Sequence, residues 1–400
     1  MDHKAYSEKA FTYLATLCSV KPNRRTGSPG NREATDFFAS VVGNLGYQLD
    51  TTPFPCPDYV SGTSNLISGD DPYEVYISPY SMGCDITARL VVVESVEALK
   101  NSSCQGQILL MEGGICAEQL MPKNFVFYNP EHHQQIYGLL EDKKPAGIIT
   151  ATSRNPDLVG ALYPFPLLVD GDFDIPNVYC SDVVGERLSK KVGEPVHLFI
   201  EAQRIQATAN NVIARKNPES KGKVVLTAHI DAYEDSPGAS DNASGTVVLM
   251  LLAEMLADYR GPLDIEIVAL NGEDHYSVAG QMDYLERYGS TFDQIVVLIN
   301  IDDVGYKIGR AAYSFYGCPP DLQDKAGNTF KKFPGMVQGE PWYNGDHMIF
   351  VQNGVASIAI TAEMVMELMA TITHTAQDIP DIVSPAKLVE IAQALSSFIN

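Results

Sequence analysis

From about residue 207 onward, unbroken apolar runs alternate with helical patterns. Val224–Ile230, Ile265–Leu270, Ile295–Ile301 and Ala356–Thr361 are continuous rather than alternating, and Ser314–Tyr316 is a shorter run of the same kind. A continuous run reads as a strand buried on both faces. Helical spacing between the runs predicts helices near 243–259, 277–288, 320–332 and 384–398. Strands separated by helices imply right-handed crossovers, hence an α/β fold class: a mostly parallel mixed sheet flanked by helices. Near the N-terminus, apolar spacing predicts helices over 4–20 and 32–45, a turn-rich loop at Asn23–Gly30 and a short strand at Gly46–Phe54. The middle of the chain differs. Short strand-like runs (Arg89–Val93, Gln107–Met111, Gly147–Thr150, His197–Glu201) alternate there with Pro- and Gly-rich turns and two helical patterns, near 130–141 and 182–191. This predicts a smaller β-rich domain, 57–205, inserted into an α/β domain made of 1–56 and 206–400.

Charge narrows the partners. With 28 Lys+Arg against 50 Asp+Glu in 400 residues, the net charge is −22, which lacks the cationic footprint that nucleic acid requires. An acidic surface suits an amine-bearing ligand. Hydrophobic residues at 45% exclude a disordered chain. Seven cysteines, an odd number without a C-x-x-C pair, fit a reducing compartment. The start, MDHKAYSEKAF, has no apolar signal region. The longest apolar stretch, Val247–Leu256, is interrupted by Glu254 and too short to cross a bilayer. The expected setting is cytoplasmic, away from membrane and nucleic acid, with homo-oligomers allowed.

Candidate chemistry gathers at the predicted strand ends. His229-Ile230-Asp231 closes one strand, and alternation puts His229 and Asp231 on one side, where Asp231 can accept from the far ring nitrogen of His229. Gly238–Gly245, containing Asp241, leads into a helix; the next strands end in Asn271-Gly272-Glu273-Asp274 and Asn300-Ile301-Asp302-Asp303. His374 lies in Thr373–Asp378, beyond the last strand. In an open parallel sheet, the carboxyl ends of neighbouring strands share one crevice. Two histidines with three or more carboxylates and no cysteine suit one or two divalent cations such as Zn²⁺, Mn²⁺ or Co²⁺. The crowding of acids favours two ions, with one acid bridging and another left unligated as a base.

In this order the motifs resemble the co-catalytic zinc aminopeptidases of metallopeptidase family twenty-eight: His229–Asp231, Gly238–Gly245, Gly272–Asp274, Asn300–Gly305 and His374–Asp378, with Arg24–Ser28 and Gly345–Phe350 as further blocks. The resemblance covers roughly 1–56 and 206–400. It implies two ions, most simply Zn²⁺, held by His229, Asp241, Asp274, Asp302 and His374, with Asp241 bridging and the split of the others open. It also implies Glu273 as general base, a cis peptide after Asp241 and a peptide substrate cleaved at its N-terminus. Where most members have Glu this chain has Asp274, shorter by about 1.5 Å; backbone compensation is expected, with weaker metal occupancy or a contribution from His275 as the alternatives. The insert loosely resembles a protease-associated domain through Gly106–Met111, Ala146–Ile149 and Ile175–Val178. The rival readings are a carboxypeptidase or dipeptidase with the same centre, for which Arg310 is the nearest candidate carboxylate clamp, and an inactive binding relative. Blander readings make Met364, Met366 and Met369 core filling and His132 and His133 surface residues. Asp346 and His347 read equally as substrate contacts or a structural cap, and the Asn242-Ala243-Ser244 glycosylation pattern reads as accidental.

Overall fold

The four continuous runs form the centre of an eight-stranded sheet. In this computed structural model, residues 3–155 and 159–400 are described. The strand order is Gln48–Asp50, Val212–Arg215, Asp264–Leu270, Lys223–His229, Ile295–Ile301, Ser357–Ala362, Ala311–Tyr316 and Met336–Gln338. The four central strands run parallel, with His229 opposite Leu270, Thr227 opposite Asn300 and Ile301 opposite Ile360. Their carboxyl ends therefore open on the same edge. Antiparallel pairs join Val212–Arg215 and Ala311–Tyr316 to this core.

The helices follow from local chemistry. Pro29 supplies a preset first-turn φ and the Ser28 side chain accepts from Asn31 N, so the helix begins at Pro29 rather than at 32. Gly245–Met255 is almost entirely apolar and almost entirely buried. A Cβ on Gly245 would come within 2.3 Å of Ile301 O, so glycine lets this helix start hard against a strand end. Pro385–Ile399 packs beside it, and the two share one core with the N-terminal helix His3–Cys18.

The chain divides into two compact units, 1–56 with 208–400, and 57–207. The second has its own sheet, ordered Asp71–Tyr73, Pro53–Ser68, Pro195–Asn210, Cys84–Val93, Ile108–Met111, Gly147–Thr152, Asn177–Ser181, Tyr76–Ile77. Four of these strands, Cys84–Val93 to Asn177–Ser181, run parallel, and the helix Glu131–Lys143 lies between two of them in sequence. This unit is thus more α/β than its short apolar runs imply. Gly46–Phe54 is not one strand: it splits into Gln48–Asp50 and the start of Pro53–Ser68. The prolines of that second strand (53, 55 and 57) disguise it in the sequence, since proline cannot donate to a ladder. Among the described residues no helix is long and apolar enough to cross a membrane.

One buried ionic cluster stiffens the sheet. Glu266 accepts from Arg215 Nε at 2.7 Å, from Lys223 Nζ at 3.3 Å and from the Tyr284 hydroxyl. Its side chain is 1% exposed and that of Lys223 8%. Glu266→Ala would leave the Lys223 ammonium buried without its counter-charge, and should cost about 3–5 kcal/mol in urea unfolding. A loss below about 1 kcal/mol would show that the network contributes nothing of note.

Candidate metal centre

Each candidate side chain reaches the open edge by a different route. His229 is the last residue of its strand. Glu273 and Asp274 lie on the turn after Asp264–Leu270, and Asp302 directly follows Ile295–Ile301. Asp241 sits in the irregular turn Ala239–Ser244, where its own φ/ψ and those of Asn242 depart from helical values and the peptide between them is cis. His374 follows the helix Val365–Thr371 and takes φ +66°, a conformation rare outside glycine. Thr375 steadies it by donating from Oγ1 to Ile372 O at 2.6 Å.

The side chains converge. Asp241 presents one oxygen 3.0 Å from His229 Nε2 and the other 3.1 Å from His374 Nε2. Asp302 Oδ1 lies 3.3 Å from His229 Nε2, and Asp274 Oδ1 lies 3.3 Å from His374 Nε2. Two groups therefore share Asp241, one with His229 and Asp302 and one with His374 and Asp274. The sequence leaves this split open. Donor atoms bound about 2.05 Å from a tetrahedral zinc ion stand about 3.3 Å apart, so the spacing suits such an ion in each group. Four buried atoms of the groups, His229 Nδ1 and Nε2, Asp274 Oδ2 and Asp302 Oδ1, have no hydrogen-bond partner. Such atoms are costly unless something satisfies them, and a divalent cation would do so for the last three.

The electrostatics agree with that fit. Burial disfavours a charged His229, yet Asp302, Asp231 and Asp241 outweigh it and hold the imidazole well above its ordinary range. His374 is raised in the same way against burial by Asp241 and Asp274. Burial also opposes ionisation of Asp241, but the two histidines prevail and hold its carboxyl far below the usual range. Glu273 behaves oppositely. Burial first, then Asp274, Asp302 and Asp346, push its carboxyl well up against the pull of His229.

Buried polar residues hold this arrangement. Asp231 accepts from Gly272 N at 2.8 Å, Asp274 N at 3.1 Å and Thr26 Oγ1 at 3.0 Å, so it fixes the turn that carries Glu273. Its Oδ1 lies 3.6 Å from His229 Nδ1, an ion-pair rather than a hydrogen-bond distance. Asp378 accepts from Ser240 N and Asp241 N at 2.7 and 3.1 Å; burial pushes its carboxyl up to about 7. The buried Arg24 guanidinium donates to Ile230 O, Pro237 O and Gly238 O. A Cβ on Gly238, at φ +58°, would meet Asp241 O at 2.5 Å and Arg24 at 2.8 Å, so only glycine lets the turn close here. Arg24 and Asp378 belong to motifs visible in the sequence, but their structural roles depend on contacts across more than 130 positions.

Several candidates fall elsewhere. His275 has Ser277 Oγ 2.9 Å from its Nδ1. Arg310 is clasped by Glu363 at 2.9 and 3.1 Å. His133 is buried, contrary to the surface reading, while His132 is exposed; both contact Glu118. That trio has metal-like spacing, but His133 Nδ1 accepts from Met121 N, which leaves Nε2 protonated and without a lone pair for an ion. Met364 packs beside Tyr306, Ala362 and Leu368, whereas Met366 is 62% exposed, so the core reading holds only in part. Asp346 makes no side-chain cap; its Oδ1 accepts from Gln281 Nε2 at 2.6 Å, and burial raises its carboxyl to about 7. Asn242 is fully buried, out of reach of a glycosylating enzyme.

Strand ends, turns and the segment after a helix thus bring two histidines and three carboxylates together at one edge of an α/β sheet, in two groups spaced as metal ligands are. Residues 211–399, a little under half of the chain, match the profile described as "Peptidase family M28". The "Aminopeptidase YwaD" of Bacillus subtilis is 31% identical over 326 residues, 76% of this chain and 64% of that protein. An "Aminopeptidase" of Pseudomonas aeruginosa is 23% identical over 346 residues, 80% of this chain and 61% of that one. The chain thus spans somewhat less than two thirds of these curated relatives. Among solved structures, BSAP, a zinc aminopeptidase from Bacillus subtilis, superposes with TM-score 0.76 at 19% identity, covering 98% of this chain and 94% of that one.

Proposed function

We propose that this chain is a zinc-dependent aminopeptidase that releases N-terminal amino acids from peptides, with Asp241 shared between two ions. The observation that carries the reading is the pair of Asp241 oxygens at 3.0 and 3.1 Å from two different histidines. His229 with Asp302, and His374 with Asp274, complete the two proposed ligand sets. Zinc, when bound, supplies Lewis acidity toward the scissile carbonyl and the attacking water. Glu273, unligated and with raised proton affinity, accepts the proton of that water and returns it to the leaving amine. Asp231 keeps the Glu273 turn in place through Gly272 N and Asp274 N. Asp274 retains its place despite its shorter side chain because its own amide is pinned to Asp231.

The surplus of carboxylates around the centre favours a free α-ammonium on the substrate. Arg310, the candidate clamp for a substrate carboxylate, is engaged by Glu363. The aminopeptidase names of both relatives point the same way. The unit 57–207 we read as protease-associated-like, and the odd cysteine count supports a cytoplasmic setting. The test is a panel of aminoacyl anilides beside N-acetylated dipeptides, assayed with the zinc-loaded protein. Free-amine substrates should be hydrolysed at least about 100-fold faster by kcat/KM, a difference of roughly 2.7 kcal/mol in transition-state binding. Cleavage of the blocked dipeptides alone would favour the carboxypeptidase reading, and loading with zinc without hydrolysis of either would favour a binding protein.

A further inference from the structure

The two halves of the centre are not held alike. His229 is 1% exposed in its side chain, and Asp231 stands beside its far nitrogen. His374 is 21% exposed, and among the described residues its ion-pair contacts run only to Asp241 and Asp274, both at Nε2. Among the described residues no carboxylate forms an ion pair with its other nitrogen. What it has instead is a ring: Tyr233 stacks on the His374 imidazole with centroids 4.7 Å apart and planes 18° from parallel.

We propose that Tyr233 is a positioning residue for the metal centre, whose ring fixes the plane in which His374 offers Nε2 and thereby sets the affinity of the His374–Asp274 half. This deepens the two-ion reading above and rests on it. A parallel ring at this distance blocks rotation of the imidazole out of its plane, because the swing would drive one ring edge into the other face. The π face also favours an imidazole that carries positive character, as a ligand to a cation does. Tyr233 comes from the segment that begins with His229. Residues 229, 231 and 233 thus divide the work: one candidate ligand, one carboxylate beside that ligand, and one ring across the neighbouring imidazole. Tyr233 lies outside the residues proposed to bind ions or move protons, and it meets the centre through the ring of His374.

Zinc titration of the metal-freed protein against a chromophoric chelator separates the two binding steps. Tyr233→Phe should bind both ions as the unsubstituted chain does. Tyr233→Leu, which keeps bulk but loses the flat ring, and Tyr233→Ala should weaken the looser step by about 10-fold or more and leave the tighter step within about twofold, in the range seen when a ligand-orienting partner is removed. With cobalt substituted, the d–d spectrum of the second equivalent should change in both variants and stay unaltered in Tyr233→Phe. Two unchanged steps in a folded Tyr233→Leu would overturn the proposal, as would equal weakening of both. If the unsubstituted chain takes up fewer than two ions, the reading of the centre fails, and it does so before any variant is compared.

Discussion

Glu273→Gln should retain both zinc ions and lose kcat by about 10²–10⁴-fold, the usual range for removing a positioned acid–base group. The amide preserves the shape and the hydrogen-bonding capacity of the side chain but cannot take a proton from water. The backbone around it should not move, because the turn is pinned by Gly272 N and Asp274 N on Asp231, neither of which involves the Glu273 side chain. The prediction therefore separates chemistry from architecture: unaltered metal content with the reaction lost. Aminoacyl-anilide kinetics alongside elemental analysis measure both. A kcat within about tenfold of the unsubstituted chain would remove Glu273 from proton transfer, and Asp346, buried near it and likewise raised, would become the group to test.

Asp241→Asn should be the most damaging substitution for the ions themselves. Removing an outer partner of a metal ligand costs about 10–100-fold in affinity, and Asp241 faces both groups directly, so at least about 100-fold loss is expected at one half or both. The backbone bond from Asp241 N to Asp378 does not depend on the side chain and should survive, keeping the turn folded. Calorimetric zinc titration and far-UV circular dichroism read these outcomes together. Two ions bound with unchanged affinity would mean that Asp241 bridges nothing.

Much of this site is legible in the sequence. Continuous apolar runs betray strands buried on both faces, and the residues just past such strands share an edge, so His229, Glu273, Asp274 and Asp302 could be placed together from spacing alone. The strands Val212–Arg215 and Met336–Gln338 were not visible: each is so short that its pairing partner, rather than its own pattern, makes it a strand. Pro53–Ser68 was hidden by its prolines. Within the centre, periodicity cannot say which acid faces which histidine, because that depends on side-chain reach from separate turns. Contacts such as Arg24 on the carbonyls of 230, 237 and 238, or Gln281 on Asp346, are equally silent, since a buried polar residue looks the same in sequence as an exposed one. Stacking of Tyr233 on His374 joins positions 141 apart and leaves no local pattern.

The account stands or falls on whether Asp241 is shared by two ions. Crystals of the zinc-loaded protein, with anomalous differences collected on both sides of the zinc edge, measure this directly. The expected map has two peaks about 3.5–4 Å apart, one near His229 and Asp302, the other near His374 and Asp274, with an Asp241 oxygen on each. A single peak, or two peaks with Asp241 coordinating only one, would contradict it.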